Sequence, residues 1–255
     1  MLLTIDIGNT NITLGLYDGD SLKSSWRVST VHERMPDEYG LQFIGLLERT
    51  RCSPAALTGI CLASVVPPLT MKIAQACQKY LSHAPLIVDA GVKTGVRIKY
   101  ENPRDVGADR IVDAVAVRRL YGGPACVVDF GTGTTFDAIS AAGDYLGGAI
   151  APGIGIAAEA LFSRAAKLPR VDLTRPPSAI GRNTPQAMQS GLLFGYVGLV
   201  EGMVARFRAE LGPEMKTIAT GGLAEIITKE TDVIDIVNPW LTLEGLRMIW
   251  EMNRG

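Results

Sequence analysis

An α/β fold of two related halves, each with a mixed sheet, is what this chain predicts. The first observation behind it is a repeated device. Asp6 and Asp129 each end an apolar run and open a glycine-and-threonine turn, Asp6-Ile7-Gly8-Asn9-Thr10 and Asp129-Phe130-Gly131-Thr132-Gly133-Thr134-Thr135. The two aspartates stand almost half the chain apart, which points to a duplicated core. The second observation is that each turn leads into a strand–turn–strand meander and then into helices alternating with strands. The third is composition. A chain of 255 residues, 47% apolar and 20% charged, can fill one large core or two small ones. Disordered chains are poor in apolar residues.

Residues 1–7 read as a buried strand. Asn11 to Ser29 reads as a hairpin, with Tyr17-Asp18-Gly19-Asp20 as its turn and Leu22 to Val28 as its return. Tyr39, Phe43, Leu46 and Leu47 give Glu38–Arg49 a helical period. Gly59–Val66 is a strand stopped by Pro67-Pro68, Leu69–Leu81 a helix and Pro85–Asp89 a short strand. Val96-Arg97-Ile98-Lys99-Tyr100 alternates and reads as another strand. Ala108–Leu120 is a helix entered through the Gly107 turn. The break at Gly122-Gly123-Pro124 puts the boundary near Tyr121–Pro124, with halves of 1–121 and 122–255. Cys126–Asp129, Thr135–Ser140 and Asp144–Ile150 read as strands, and Ile156–Lys167 as a helix. Leu168–Ile180 is a proline-rich loop. Thr184–Leu211 is a long apolar helix, expected to be interrupted near Gly195–Gly198. Lys216–Ala219 is a strand ending in Thr220-Gly221-Gly222. Leu223–Thr228 is a short helix, Val233–Val237 a last strand and Leu241–Asn253 a last helix.

The net charge of −1 offers no large basic field for nucleic acid. Cys52, Cys61, Cys77 and Cys126 form no C-x-x-C pair, and His32 and His83 are the two histidines, so a zinc site is not expected. The thiols read as reduced core residues of a cytoplasmic protein. Neither a signal peptide nor a run of 18 apolar residues is present, so no membrane span is expected.

Chemistry concentrates in the turns. Gly8 permits close backbone approach, while Asn9, Thr10, Asn11 and Thr13 set short polar side chains beside backbone donors, an arrangement suited to phosphate oxygens. A carboxylate at Asp6 can hold Mg²⁺, directly or through water. One such turn alone is equally a tight hairpin with a locally capping aspartate, but the Asp129 turn repeats the logic with more hydroxyls. A third glycine turn, Ala219-Thr220-Gly221-Gly222, suits a nucleoside approached by bare backbone. Neither a Walker A lysine motif nor a G-x-G-x-x-G fingerprint accompanies these turns. Between the halves, Tyr100-Glu101-Asn102-Pro103-Arg104-Asp105-Val106-Gly107-Ala108-Asp109-Arg110 places Asp109 in the first turn of a helix, where unpaired amides favour an ionised carboxylate. Such a group is a candidate general base, and Arg110 can fork onto a carboxylate or phosphate. The same pattern also describes an ordinary N-terminal helix carboxylate in a surface ion pair. Three nucleotide-style turns and an acid–arginine pair together suggest phosphoryl transfer.

At these residues the chain resembles the type III pantothenate kinases, members of the acetate kinase, sugar kinase, Hsp70 and actin superfamily. The resemblance covers essentially the whole chain. It rests on Asp6-Ile7-Gly8-Asn9-Thr10-Asn11, the Asn102 to Arg110 block, Asp129 to Asp137, and Gly147-Gly148-x-Ile150-x-Pro152-Gly153, with Gly133 standing where alanine is more usual. It implies two actin-like (ribonuclease H-like) domains with ATP in the cleft between them. It also implies transfer of the γ-phosphoryl group to pantothenate, the first step of coenzyme A synthesis. By position it makes Asp109 the proton acceptor and gives pantothenate contacts to Tyr100, Gly107, Ala108, Asp109, Arg110 and Thr184. The ATP phosphates would meet Asp6, Ile7, Gly8, Asn9, Thr10, Asn11, Ile12, Thr13 and Thr132. Asp129 would help bind a monovalent cation, K⁺ or NH₄⁺, and Mg²⁺ would accompany ATP. A homodimer is implied, with the helix after Thr184 as interface or simply a core helix. Two alternatives remain at this point. One is a kinase of another small hydroxyl substrate on the same fold. The other is a non-catalytic, ATP-dependent accessory factor of transcription.

Overall fold

The computed structural model describes residues 1–254. It divides into two units, each described by itself. The first comprises Met1–Val96, Tyr100–Arg119 and the C-terminal segment from Leu241. The second comprises Arg97–Lys99 and Leu120–Trp240. A single cut between residues 121 and 122 therefore needs correcting. It assigns the last helix to the second half, whereas that helix packs on the sheet of the first unit.

The first unit is built on β1 (Leu2–Ile7), β2 (Asn11–Asp18), β3 (Ser21–Ser29), β4 (Gly59–Ser64) and β5 (Leu86–Ile87), in the order β3-β2-β1-β4-β5. β1 runs antiparallel to β2 and parallel to β4. Alternation sends Leu3, Ile5, Ile7, Ile12 and Leu14 to one face. There they form a core with Tyr39, Phe43 and Leu47 of α1 (Pro36–Arg49) and Leu69, Ile73 and Cys77 of α2 (Pro67–Leu81). Both helices open on proline at the first helical position, where its missing N–H costs nothing. α3 (Ala108–Leu120) belongs almost wholly to this unit, and α7 (Leu241–Asn253) covers the sheet over glycines. A Cβ at Gly15 would lie 3.0 Å from Leu243, and one at Gly59 would lie 2.0 Å from the Trp250 ring.

The second unit holds β6 (Ala125–Phe130), β7 (Gly133–Ile139), β8 (Tyr145–Pro152), β9 (Lys216–Thr220) and β10 (Ile236–Val237), in the order β10-β9-β6-β7-β8. Read from the other edge, this is the topology of the first sheet. β6 is antiparallel to β7 and parallel to β9, as β1 is to β2 and β4. The two aspartates are register equivalents: Asp6 faces Thr13 and Ala63, and Asp129 faces Thr135 and Thr220. This is the duplicated core expected from the repeated turns.

α4 (Ile154–Arg164), α5 (Thr184–Leu211) and α6 (Ala224–Thr228) complete the second unit. α5 is capped reciprocally. The Asn183 side chain accepts from the Gln186 amide at 2.9 Å, and the Gln186 side chain accepts from the Arg182 amide at 3.1 Å. The expected interruption near Gly195–Gly198 is absent, and the helix runs unbroken over 28 residues. Eight buried residues, Met188 through Val204, hold it on the sheet, and that packing outweighs the weak helix propensity of glycine. By length and composition α5 could cross a membrane, and 44% of its most apolar window is buried within the fold. The expected strand at Val96–Tyr100 reduces to a single parallel bridge between Ile98 and Tyr145. The strand expected at Val233–Val237 is confined to Ile236–Val237.

Candidate active site

The Asp6 turn joins β1 to β2. The Gly8 amide donates to the Asn11 carbonyl at 3.0 Å and closes the turn. Gly8 thus gives close approach rather than a donor, leaving Asn9, Thr10 and Asn11 as the exposed part of the loop. Ile7 and Ile12 are fully buried core residues, so only their main chain is available to a ligand. Thr30, which the sequence did not single out, braces the turn. Its hydroxyl donates to the Gly8 carbonyl at 2.7 Å and its amide to the Thr10 carbonyl at 2.9 Å. Nothing in the sequence pattern separates Thr30 from any other threonine at a strand end.

The Gly107 to Arg110 block stands at the same end of the first sheet. The amide of Val65, just past β4, donates to the Ile7 carbonyl at 3.0 Å, next to Asp6. A Cβ at Gly107 would lie 3.4 Å from the Val65 side chain and 2.5 Å from the Asp109 carboxylate. Glycine at 107 is therefore what lets Asp109 fold back at the start of α3. The Asp109 Oδ1 accepts the Arg110 amide at 2.8 Å, which holds the carboxylate at the helix start. Asp109 and Arg110 are both half-buried, and Tyr100 is 39% exposed. The first unit thus gathers the Asp6 turn and the proposed base at one end of its sheet.

In the second unit, three glycine segments converge. The Gly153 amide donates to the Thr132 carbonyl at 3.1 Å, and a Cβ at Gly153 would lie 2.2 Å from that oxygen and 2.7 Å from the Gly131 carbonyl. Gly221, at φ +91°, would carry a Cβ 2.3 Å from the Asp129 Oδ1 and 2.7 Å from the Phe130 main chain. Asp129 and the exposed Thr132 therefore sit in a backbone cradle that tolerates no side chain at 153 or 221. Gly153 and Gly221 each lie in a glycine segment of the sequence, but their contact with the Asp129 turn is tertiary and not visible there. Thr184, the first residue of α5, lines a separate cavity of about 550 Å³ in this unit, with Arg182, Asn183, Leu161, Met188 and Leu192.

Among the described residues, no group of three or more His, Cys, Asp or Glu side chains is arranged to hold a metal ion. A cation here would need ligands from a bound nucleotide or from main-chain oxygens. Cys61 and Cys77 are buried, and desolvation pushes each thiol up to about 12. Burial, then the charge of Asp137, pushes the Cys126 thiol up as well. These cysteines are core residues, not nucleophiles.

Comparison with known proteins bears on this geometry. A family model described as type III pantothenate kinase matches residues 2–206. A type III pantothenate kinase of Moorella thermoacetica is 56% identical over 253 residues, covering 99% of this chain and 100% of the relative. One from Geobacillus kaustophilus is 53% identical over 253 residues, covering 99% and 98%. Among solved structures, a conserved Baf family protein from Campylobacter jejuni aligns with a TM-score of 0.63 at 20% identity, covering 98% of each chain. An inorganic polyphosphate/ATP-glucomannokinase from Arthrobacter aligns with a TM-score of 0.52 at 15% identity, covering 99% of each. At these identities the structural matches show the fold alone, two mixed-sheet domains of the actin-like kind.

Proposed function

We infer the roles below from one premise: the chain belongs to the type III pantothenate kinases. It is a kinase that uses ATP to phosphorylate pantothenate, in coenzyme A biosynthesis. What remains to be assigned is which residues carry the reaction.

The observation that carries the assignment is the shared end of the first sheet, where Ile7 meets Val65 and Val65 lies against Gly107. It supports a phosphate cradle at Asp6 to Thr13 and a proton acceptor at Asp109 within one framework. Asp109 takes the proton from the primary hydroxyl of pantothenate as the phosphoryl group arrives. Arg110, fixed at the start of α3, pairs with the pantothenate carboxylate. Tyr100, Gly107, Ala108 and Thr184 shape the rest of the substrate contact. The main chain around Asn9 to Asn11 and the hydroxyls of Thr10, Thr13 and Thr132 hold the ATP phosphates.

Mg²⁺ fits this donor set, because it is held in such enzymes by one or two carboxylates plus phosphates and water. Asp6 is the carboxylate offered, and Mg²⁺ held there would supply charge neutralisation for the transferring group. The cradle around Asp129 combines a carboxylate with turn carbonyls, oxygen donors suited to K⁺ or NH₄⁺. A homodimer is supported by α5, whose Gly191, Gly195 and Gly198 form an exposed stripe, with the exposed Leu161 of α4 lining the same cavity as Gly191. A cytoplasmic location is supported by four free, buried cysteines.

The test is phosphopantothenate formation from ATP and pantothenate with Mg²⁺, titrated with K⁺, in wild type and Asp129→Asn. The assignment expects K⁺ stimulation in the wild type and its loss in the variant. A variant with an unchanged K⁺ response removes Asp129 from the cation site.

A further inference from the structure

The segment between β5 and α3 carries Tyr100, yet its centre belongs to the other unit. Arg97–Lys99 groups with the second unit, while Val96 and Tyr100 on either side group with the first. Two main-chain hydrogen bonds join this segment to Tyr145 at the start of β8. The Tyr145 amide donates to the Arg97 carbonyl at 2.9 Å, and the Lys99 amide donates to the Tyr145 carbonyl at 2.8 Å. Beside them, Lys99 Nζ pairs with Asp144 Oδ2 at 2.9 Å, and the Asp144 side chain is only 7% exposed.

Tyr145 is itself immobilised. Its ring is fully buried, and its hydroxyl donates to Asp137 Oδ1 at 2.9 Å. Asp137 is 1% exposed, and its other oxygen accepts the Thr135 hydroxyl at 2.8 Å. Thr135 is the cross-strand partner of Asp129. A continuous chain of contacts therefore runs from the Asp129 strand position through Thr135, Asp137 and Tyr145 to the main chain one residue before Tyr100.

We propose that Tyr145, with the Lys99–Asp144 pair, is a positioning element for pantothenate binding, ordering the main chain that leads into Tyr100 by tethering Arg97–Lys99 to β8. A loop residue pinned in advance loses less freedom when substrate binds, which appears as tighter binding rather than faster chemistry. The buried Asp144 carboxylate adds directionality, since it strongly disfavours losing its cationic partner. This inference rests on the proposed contact between Tyr100 and pantothenate.

The experiment uses full-length Lys99→Met, Lys99→Arg, Tyr145→Phe and Tyr100→Ala. Lys99 is more than half exposed, so its variants disturb less packing than Tyr145→Phe, and Lys99→Arg keeps a cation for Asp144. Lys99→Met is expected to raise KM for pantothenate roughly three- to tenfold, the affinity equivalent of one net hydrogen bond. KM for ATP should stay within about twofold, and Lys99→Arg should restore the wild-type value. Tyr145→Phe should show the same split. Amide exchange at Lys99 reads the tether separately and should quicken in Lys99→Met. Unchanged exchange overturns the tether. Faster exchange with equal shifts in both KM values marks a merely structural role and overturns the positioning. If Tyr100→Ala leaves KM for pantothenate unchanged, the Tyr100 contact fails instead, and the inference falls with it.

Discussion

Replacing Gly221 with alanine tests the cradle around Asp129. The residue sits at φ +91°, and an added Cβ would lie 2.3 Å from the Asp129 carboxylate and 2.7 Å from the carbonyl carbon and nitrogen of Phe130. Carbon contacts are normally about 3.5–4.0 Å. The carboxylate can swing aside, but the Phe130 main chain is locked in β6 between β7 and β9. The left-handed backbone costs an L-residue about 1–2 kcal/mol, and overpacking adds about 1–3 kcal/mol. Together they predict a loss of about 2–5 kcal/mol, or a fall in Tm of roughly 5–20 °C for a protein of this size. Displacing Asp129 should also abolish the proposed K⁺ response. Scanning calorimetry and a K⁺ titration of initial rates measure the two effects. Gly45→Ala is the control, because Gly45 lies in α1 with nothing within 4 Å of its added Cβ. That change should raise stability by about 0.5–1 kcal/mol. A Gly221→Ala protein that melts within a degree of wild type and keeps its K⁺ response would refute the packing argument.

Two further outcomes follow from the fold. Cys61 and Cys77 should resist alkylation at pH 8 in the native protein and react only after denaturation. Their folded values, about 12, lie above the ordinary thiol value of 9.0, so the protonated thiol is favoured by folding. That contribution is complete below pH 9 and is lost as pH rises from 9 toward 12, so urea stability should decline across that window. Native labelling of either thiol at pH 8 would contradict the burial. On the exposed face of α5, Gly195→Leu should shift sedimentation of the proposed homodimer toward monomer while the far-ultraviolet spectrum is retained. Sedimentation identical to wild type would exclude the glycine stripe from the interface.

The parts of this fold legible in the sequence are those fixed by local chemistry. The apolar runs ending at Asp6 and Asp129 gave the two central strands and their equivalence, because strand alternation and glycine turns are short-range signals. What stayed hidden was tertiary. Val96 to Tyr100 alternates like a strand, yet pairs through one bridge because Tyr145 alone receives it. Glycines 195 and 198 suggested a break in α5, but burial of Tyr196, Val197 and Val200 holds the helix straight through them. The last helix follows the second sheet in sequence but packs on the first, over Gly15 and Gly59, which no local pattern records. The site shows the same division. Asp109 and the phosphate turn stood out by residue type and spacing. Thr30, Gly153 and Gly221 act through contacts with distant turns.

The assignment of Asp109 as proton acceptor is the centre of this account. Its most direct test is the single-turnover rate of phosphopantothenate formation in Asp109→Asn, with ATP affinity measured on the same sample. Asparagine keeps the size of the side chain and an oxygen for the Arg110 amide, but cannot take the proton. The account predicts a rate lower by about 10²–10⁴-fold, with ATP binding unchanged. A rate within a few-fold of wild type would contradict it.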